Sequence, residues 1–287
     1  MTRVETARNY VNTWECDEND HLNVQSYFGH FDAADAHFRA ITGLDATLLG
    51  PRAQRHVRYM RELRVGEILN VRSYRASDAP YSLAIAHELF ETATGELSAT
   101  AIDVYWPSHH PAVIDAYTAS IDGRALPRGL PVELPALMAS EKALLERGGE
   151  VSHRGLVGPG DCDWQGRMTE RQMIGRFSDA AGHAWEQAGL TRAWLQENGC
   201  GRVAVELRLA MRSAPRPGDL IHIVTQVVDL GSTAFVLRHA VFDSRTKAIV
   251  ATGEVVSLVM DLDARKAVRL PEDRLRLLRA KVDATTA

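Results

Sequence analysis

Apolar residues three and four apart mark a long helix early in the chain. Val24, Tyr27, Phe28, Phe31, Ala34, Phe38 and Ile41 share one stripe. Asn23 stands where an N-cap belongs and Gly43 where a left-handed stop belongs, which predicts a helix from Val24 to Thr42. The stripe returns more completely in Met173, Ile174, Phe177, Ala180, Ala181, Ala184, Trp185 and Ala188. Thr169 caps this second helix, Gln172 is placed for a capping box, and Gly189 ends it. After each helix come short runs rich in branched and aromatic residues, separated by turn residues, which predict strands. They span Gln54 to Val65, Ile68 to Ala76, Tyr81 to Glu91 and Leu97 to Trp106 in the first half. In the second they span Val203 to Arg212, Leu220 to Val228, Thr233 to Asp243 and Ile249 to Met260. A helix with one apolar stripe needs a sheet to cover it. Each half therefore reads as a lead strand, one long helix and four antiparallel strands.

The two halves are copies. Cys16-Asp17-Glu18-Asn19-Asp20-His21-Leu22-Asn23 precedes the first helix, and Cys162-Asp163-Trp164-Gln165-Gly166-Arg167-Met168-Thr169 precedes the second. The offset, 163 − 17, is 146 residues, and it pairs Gly29 with Gly175, Phe31 with Phe177 and His37 with His183. In the strands it becomes 218 − 66, or 152, pairing His87 with His239 and Ala99-Thr100 with Ala251-Thr252. Six extra residues thus fall between helix and sheet in the second copy, around Glu197 to Arg202. A repeat of this length fixes the architecture before any other argument. Residues 1–125 are expected to form the first unit, 126–149 a linker and 150–287 the second unit. The linker carries Pro127, Pro131 and Pro135, with a short helix expected from Pro135 to Arg147 and another in the tail from Pro271 to Lys281.

Composition narrows the function classes. The 287 residues are 45% hydrophobic and 24% charged, ordinary for a globular protein. A net charge of −4 and scattered Lys and Arg give no basic stripe for nucleic acid, and no apolar run approaches a membrane span. The N-terminal residues lack the apolar core of a signal peptide. Cys16, Cys162 and Cys200 form no CxxC pair or disulfide framework, which fits a reducing cytoplasm. His109-His110 lacks partners at ligand spacing, so no metal is assigned, and nothing points to a cofactor.

A lead strand, an Asp-rich loop, a long helix and a meander together resemble the hotdog fold, specifically the 4-hydroxybenzoyl-CoA thioesterase-like acyl-CoA thioesterases. Asp17, His21 and Asn23 match the spacing of that family's loop. Tyr59-Met60-Arg61-Glu62-Leu63-Arg64-Val65-Gly66-Glu67 looks like its following strand and turn. The resemblance covers Tyr10 to Trp106 and Arg154 to Asp261. It implies an α+β double hotdog, in which each unit packs a long helix on a curved antiparallel sheet. The fused pair would make a pseudo-dimer within one chain, able to pair further as a homo-oligomer. The implied substrate is an acyl-CoA or acyl-carrier thioester.

Thioester hydrolysis needs a group that attacks or activates water, and donors aimed at the developing oxyanion. Asp17 is placed for the first task, and the resemblance assigns the second to a helix-start N–H, here near Val24. The ordinary role of such an aspartate is to cap its own loop. His21 either orients water or the carbonyl, or forms a structural bond with Asp17 or Asp20; Asn23 either bonds the substrate or serves as the N-cap. The second copy keeps Asp163 but has Arg167 and Thr169 in place of His21 and Asn23. Gln165 is placed to orient water there. Either that site is degenerate, or Arg167 binds an acyl carboxylate or a CoA phosphate, or it bridges to Asp163. Trp14 and Trp164 face an acyl group, or a quaternary ammonium as in betainyl-CoA thioesterases, or pack in the core, the ordinary place for indole. Cys16 and Cys162 read as small buried residues, and His37, His87, His183 and His239 as packing or interface residues.

The expected function is acyl-CoA hydrolysis with Asp17 as base or nucleophile. Two alternatives stand beside it. One is a hotdog hydratase or dehydratase, against which Asp17-Glu18-Asn19-Asp20-His21 lacks a proline and is one residue short. The other is a non-catalytic acyl-CoA-binding protein.

Overall fold

The structure is a computed structural model that describes residues 3–17, 19–44, 49–81, 83–106, 112–132 and 139–286. The chain divides into two units, Met1–Val132 and Glu133–Ala287.

Unit 1 contains β1 (Val4–Tyr10), α1 (Val24–Thr42), β2 (Arg52–Tyr59), β3 (Ile68–Ala76), β4 (Ala84–Glu91) and β5 (Leu97–Tyr105). Its strands run in the order β1-β3-β4-β5-β2, every neighbour antiparallel. The stripe of α1 buries Tyr27, Phe28, Phe31, Ala34 and Phe38, each large side chain contributing about 1.5–3 kcal/mol. Both helix ends are set by local chemistry: the Asn23 side chain accepts the Gln25 N–H, and Gly43 turns left-handed at φ 72°. On the opposite face of the sheet Tyr74, Ala84, Ala86, Ile102 and Val104 pack with Ala119 of the short β6 (Thr118–Ala119) and with Ala125.

Unit 2 contains α2 (Glu141–Glu146), β7 (Glu150–Leu156), α3 (Glu170–Gln187), α4 (Arg192–Glu197), β8 (Cys200–Met211), β9 (Leu220–Leu230), β10 (Ala234–Asp243), β11 (Ile249–Asp261), β12 (Lys266–Ala267) and α5 (Glu272–Thr286). Its main sheet has the corresponding order β7-β9-β10-β11-β8. The registers repeat as well. Ser73 faces His87 in unit 1 and Thr225 faces His239 in unit 2, with the 152-residue offset kept. Even the polar detail recurs: Thr6 bonds Ser73 (2.6 Å) and Ser73 bonds His87 Nδ1 (2.7 Å), while Ser152 bonds Thr225 (2.6 Å) and Thr225 bonds His239 Nδ1 (2.8 Å). These two histidines are buried, whereas His37 and His183, expected as packing or interface residues, are exposed rather than packed in the core of their own units.

The strand expected to run to Val65 ends at Tyr59. The Met60 and Arg61 N–H groups both turn to the Ser98 carbonyl, and the Leu63 carbonyl accepts from Leu22 instead of a neighbouring strand. Strand β4 starts at Ala84, later than Tyr81, and α5 runs on to Thr286. The extra residues of the second copy hold the end of α4, a turn at Gly199 (φ 62°) and the longer start of β8. Helix α2 falls within the segment read as linker, and its Leu144 packs with Val224, Ala240 and Phe242. Glu18, His109, His110 and the Pro135 end of the expected linker helix lie outside the described residues. Among the described residues no helix is long and apolar enough to cross a membrane.

Candidate active site in the two Asp loops

In unit 1 the chain leaves β1 and forms a 3-10 turn at Thr13–Glu15, closed when the Glu15 carboxylate accepts the Asn12 N–H (3.1 Å). Cys16 then bridges Leu22, and between them the loop folds on Asp17. The Asp17 N–H donates to the His21 carbonyl (2.8 Å), and Asp17 Oδ1 accepts the N–H groups of Asn19 (2.9 Å) and His21 (3.1 Å). Asp20 takes a positive φ of 63° to make the turn, a conformation Asp tolerates better than most residues. One carboxylate oxygen therefore does the loop-capping work ordinary for this residue. The other, Oδ2, makes no hydrogen bond to a described residue.

Asn23 completes the corner. Its N–H donates to the Glu15 carbonyl (2.8 Å) and its side chain accepts from Gln25 (3.0 Å), so the N-cap reading holds. Val24 is the first helical residue, and its N–H has no hydrogen bond to a described residue. A free N–H at a helix start points its positive end outward, and the helix dipole adds to it. His21 is buried, its Nε2 3.4 Å from Glu62 Oε2. Its expected tie to Asp17 runs through the backbone N–H. A second acidic contact pins the loop to the helix, with Glu15 Oε1 3.6 Å from His30 Nε2.

Unit 2 builds the same loop and spends its groups differently. Asp163 Oδ1 accepts the N–H groups of Gln165 and Arg167 (both 2.9 Å). Asp163 Oδ2 is held by the Arg167 guanidinium at 3.1 Å through Nε and 3.0 Å through its terminal nitrogen. Burial pushes the Asp163 carboxyl up, but these bonds outweigh it and leave the group below its ordinary value. Of the roles open to Arg167, the loop salt bridge is the one formed. Thr169 caps α3 through Gln172 (3.3 Å), and the first helical residue is Glu170, where unit 1 has Val24. An acidic side chain there competes with any developing oxyanion for the helix terminus. The clamp also recurs, since Asp161 accepts from Gly158 (2.8 Å) and from Arg176 (2.8 Å).

Several expectations change at this point. Trp14 is 79% exposed and Trp164 89% exposed, so core packing is wrong for both. Each loop closes on its own backbone hydrogen bonds, which leaves the indoles outside. Cys16 and Cys162 are half-buried, and their thiols donate to the Asn12 and Gly158 carbonyls. Burial first, then nearby carboxylates, push both thiols up and away from nucleophilic thiolate. The loops thus gather Asp17, His21, Asn23 and Val24 in unit 1, and Asp163, Gln165 and Arg167 in unit 2. Sequence reasoning takes Asp161 as a second carboxylate beside Asp163 but passes over Glu15, its acidic counterpart at the 146-residue offset, and the contact of Glu62 with His21.

A buried cluster in unit 1 also went unforeseen. Arg55, fully buried, forks onto Asp103 (2.6 and 2.7 Å) and reaches Asp32 (2.6 Å), while Arg52 bonds Asp103 (2.7 Å) and Arg39 bonds Asp35 (2.9 Å). Asp35, His87 and Asp103 bring ligand atoms within 4.8 Å of one another, the spacing of a cation site. The guanidinium groups already neutralise those carboxylates, so this donor set does not fit a metal. Burial pushes the Asp103 carboxyl up, and Arg52 and Arg55 outweigh it to hold the group well below the carboxylate range.

Residues 157–280 match the family described as the Thioesterase-like superfamily. A comparison with curated proteins finds no match. Among solved structures the chain is similar to an acyl-ACP thioesterase from Bacteroides thetaiotaomicron, with TM-score 0.63 and 12% identity over 88% of this chain and 96% of that one. It is also similar to a putative oleoyl thioesterase from Lactobacillus plantarum, with TM-score 0.60 and 12% identity over 94% and 98%. A third is the 12:0-ACP thioesterase from Umbellularia californica, with TM-score 0.56 and 12% identity over 88% and 96%. At such identities the likeness concerns architecture: the chain is an α+β double hotdog.

Proposed function

We propose that this double-hotdog chain, whose second unit matches the thioesterase-like superfamily, hydrolyses acyl-CoA thioesters at the Asp loop of unit 1. The observation that carries the reading is the contrast between the loops. Among the described residues Asp17 Oδ2 and the Val24 N–H have no hydrogen-bond partner, while Asp163 has both oxygens engaged and Glu170 stands at the second helix start. Asp17 Oδ2 takes a proton from water, or attacks the carbonyl carbon itself. The carbonyl oxygen gains charge and is held by the Val24 N–H at the positive end of α1. The carbon–sulfur bond then breaks, its electron pair leaving on sulfur, and the CoA thiolate takes up the proton released from the attacking or resolving water, with the acid as second product. Where Asp17 attacks first, water resolves the resulting anhydride.

His21 orients the water or the carbonyl, and its contact with Glu62 holds the ring (3.4 Å). Trp14, exposed beside the loop, offers an apolar surface to the acyl group. Asn23 serves mainly as the cap. Gln165 and Arg167 make the second loop a candidate binding site, where the guanidinium edge turned from Asp163 can meet a CoA phosphate. The spacing of Asp17, His21 and Asn23 supports placing unit 1 near the 4-hydroxybenzoyl-CoA thioesterase-like enzymes. The three free thiols support action in a reducing cytoplasm.

Thiol release from a panel of acyl-CoA thioesters, followed with a thiol reagent, tests the reading. Asp17→Asn is expected to remove turnover while circular dichroism stays unchanged; wild-type turnover in the variant removes the assignment. Saturable binding without thiol release would favour the non-catalytic acyl-CoA-binding reading, and water addition to an enoyl-CoA the hydratase.

A further inference from the structure

We propose that the Tyr59 hydroxyl is a hydrogen-bond donor to an oxygen of the bound acyl thioester. The inference rests on the thioesterase reading above and adds a residue to its site. Tyr59 is the last residue of β2 and lies on the same face as Arg55 and Val57, toward α1. Its ring meets Tyr27 edge-on, centroids 5.1 Å apart at 70°. Tyr27 sits in the first turn of α1, three residues after Val24, and its own hydroxyl is placed by Ser98 (3.3 Å). Ser98 in turn donates to the Arg61 carbonyl (2.6 Å). Four residues beyond Tyr59, past the bend at Arg61, the Leu63 carbonyl takes the Leu22 N–H of the Asp loop (2.7 Å).

The Tyr59 hydroxyl itself is buried and has no hydrogen-bond partner among the described residues. A buried hydroxyl left without a partner costs free energy, so most are satisfied or have a use. Packing does not require it. At the equivalent positions unit 2 has Met173 for Tyr27, Met211 for Tyr59 and Val250 for Ser98. The pairing confirms the match, since Tyr59 faces Ala99 and Met211 faces Ala251. The same corner is thus built from thioether and methyl groups in the unit whose Asp is spent. Burial holds the phenol far above its ordinary titration range, so it remains a donor at any working pH. The residue as a whole is half-buried while its hydroxyl is covered, so the ring lies close to the surface without exposing the donor.

Tyr59→Phe removes the hydroxyl and nothing else. The expected result is an unchanged or higher melting temperature with kcat/KM on acyl-CoA down about fivefold or more, the scale of one hydrogen bond. A loss confined to kcat identifies the thioester carbonyl as acceptor; a rise confined to KM identifies an oxygen on the acyl group. A smaller change in kcat/KM, or a lowered melting temperature, overturns the proposal. A ketone analogue, with CH2 in place of the thioester sulfur, separates this from the parent reading. If the wild type releases no thiol, the thioesterase reading fails, and calorimetric binding of the analogue still decides Tyr59 by the same fivefold criterion.

Discussion

The two units build one architecture around opposite interiors. Between helix and sheet, unit 1 buries Arg55 with Asp103 and the Phe28 and Phe31 rings, ties it to the partly exposed Asp32, and adds Arg52, Asp35, Arg39 and Tyr105 around them. Unit 2 has Leu207, Val255, Ser178 and Ala204, Ala181, Trp185 and Ser257 at the matching positions. The match is structural, because Arg55 pairs with Asp103 in the register where the 152-residue offset puts Leu207 and Val255. Unit 2 places its own buried ion pair, Arg208 with Glu254, one position along each strand and hence on the other face. The fold therefore does not need charge in this layer, because unit 2 forms it from uncharged groups. Buried ion pairs often add little net stability, but they penalise any arrangement that breaks them. The unit that keeps charge in this layer is also the unit whose Asp loop, among the described residues, leaves a carboxylate oxygen unbonded.

The largest effect expected from this contrast is in the cluster. Asp103→Ala leaves the Arg55 guanidinium buried without its fork and should cost about 3–5 kcal/mol in urea unfolding. The double change Arg55→Leu with Asp103→Val, which copies unit 2, should cost clearly less. Equal losses would show the charges to be needed rather than exchangeable. The second effect is pH dependence from unit 2. Burial lowers His239 to about 3, so folding excludes a proton that the unfolded chain binds below its ordinary value near 6.5. The unfolded state then holds more protons between those values, and stability falls as pH drops from about 6.5 toward 3, by at most about 1.4 kcal/mol per unit. His239→Leu should flatten that slope; an unchanged slope would place the titration elsewhere. A smaller effect concerns the ring against that histidine. Phe177 stacks on His239 (4.8 Å) where Gly253 gives it room, and a Cβ on Gly253 would collide with the ring. Unit 1 carries Ala101 there, with Phe31 standing off at 6.2 Å from His87. Gly253→Ala should cost about 1–3 kcal/mol by overpacking, read as a lowered melting temperature.

Much of the architecture was legible because local chemistry writes it. Asn23 and Gly43 set the ends of α1, Thr169 and Gly189 bracket α3, and the repeated turns carry the strand register. What was not legible depended on contacts between distant residues. Strand β2 stops at Tyr59 because Leu63 is claimed by Leu22 across the loop. Gln54-Arg55-His56 reads as a polar stretch, yet Arg55 turns inward because Asp103 and Asp32 wait there. The exposure of Trp14 and Trp164 follows from loop closure, which residue type does not encode. For the site, the sequence located both Asp loops and their unequal polar sets. Which oxygens are already spent required the hydrogen bonds.

The unequal loops are tested most directly by measuring thiol release for Asp17→Asn and Asp163→Asn side by side on the best acyl-CoA substrate. Asp17→Asn should lose turnover by about 10²–10⁴-fold, the usual worth of a catalytic acid or base, while Asp163→Asn keeps nearly all of it. Comparable losses in both variants, or full activity in Asp17→Asn, would contradict a single working site in unit 1.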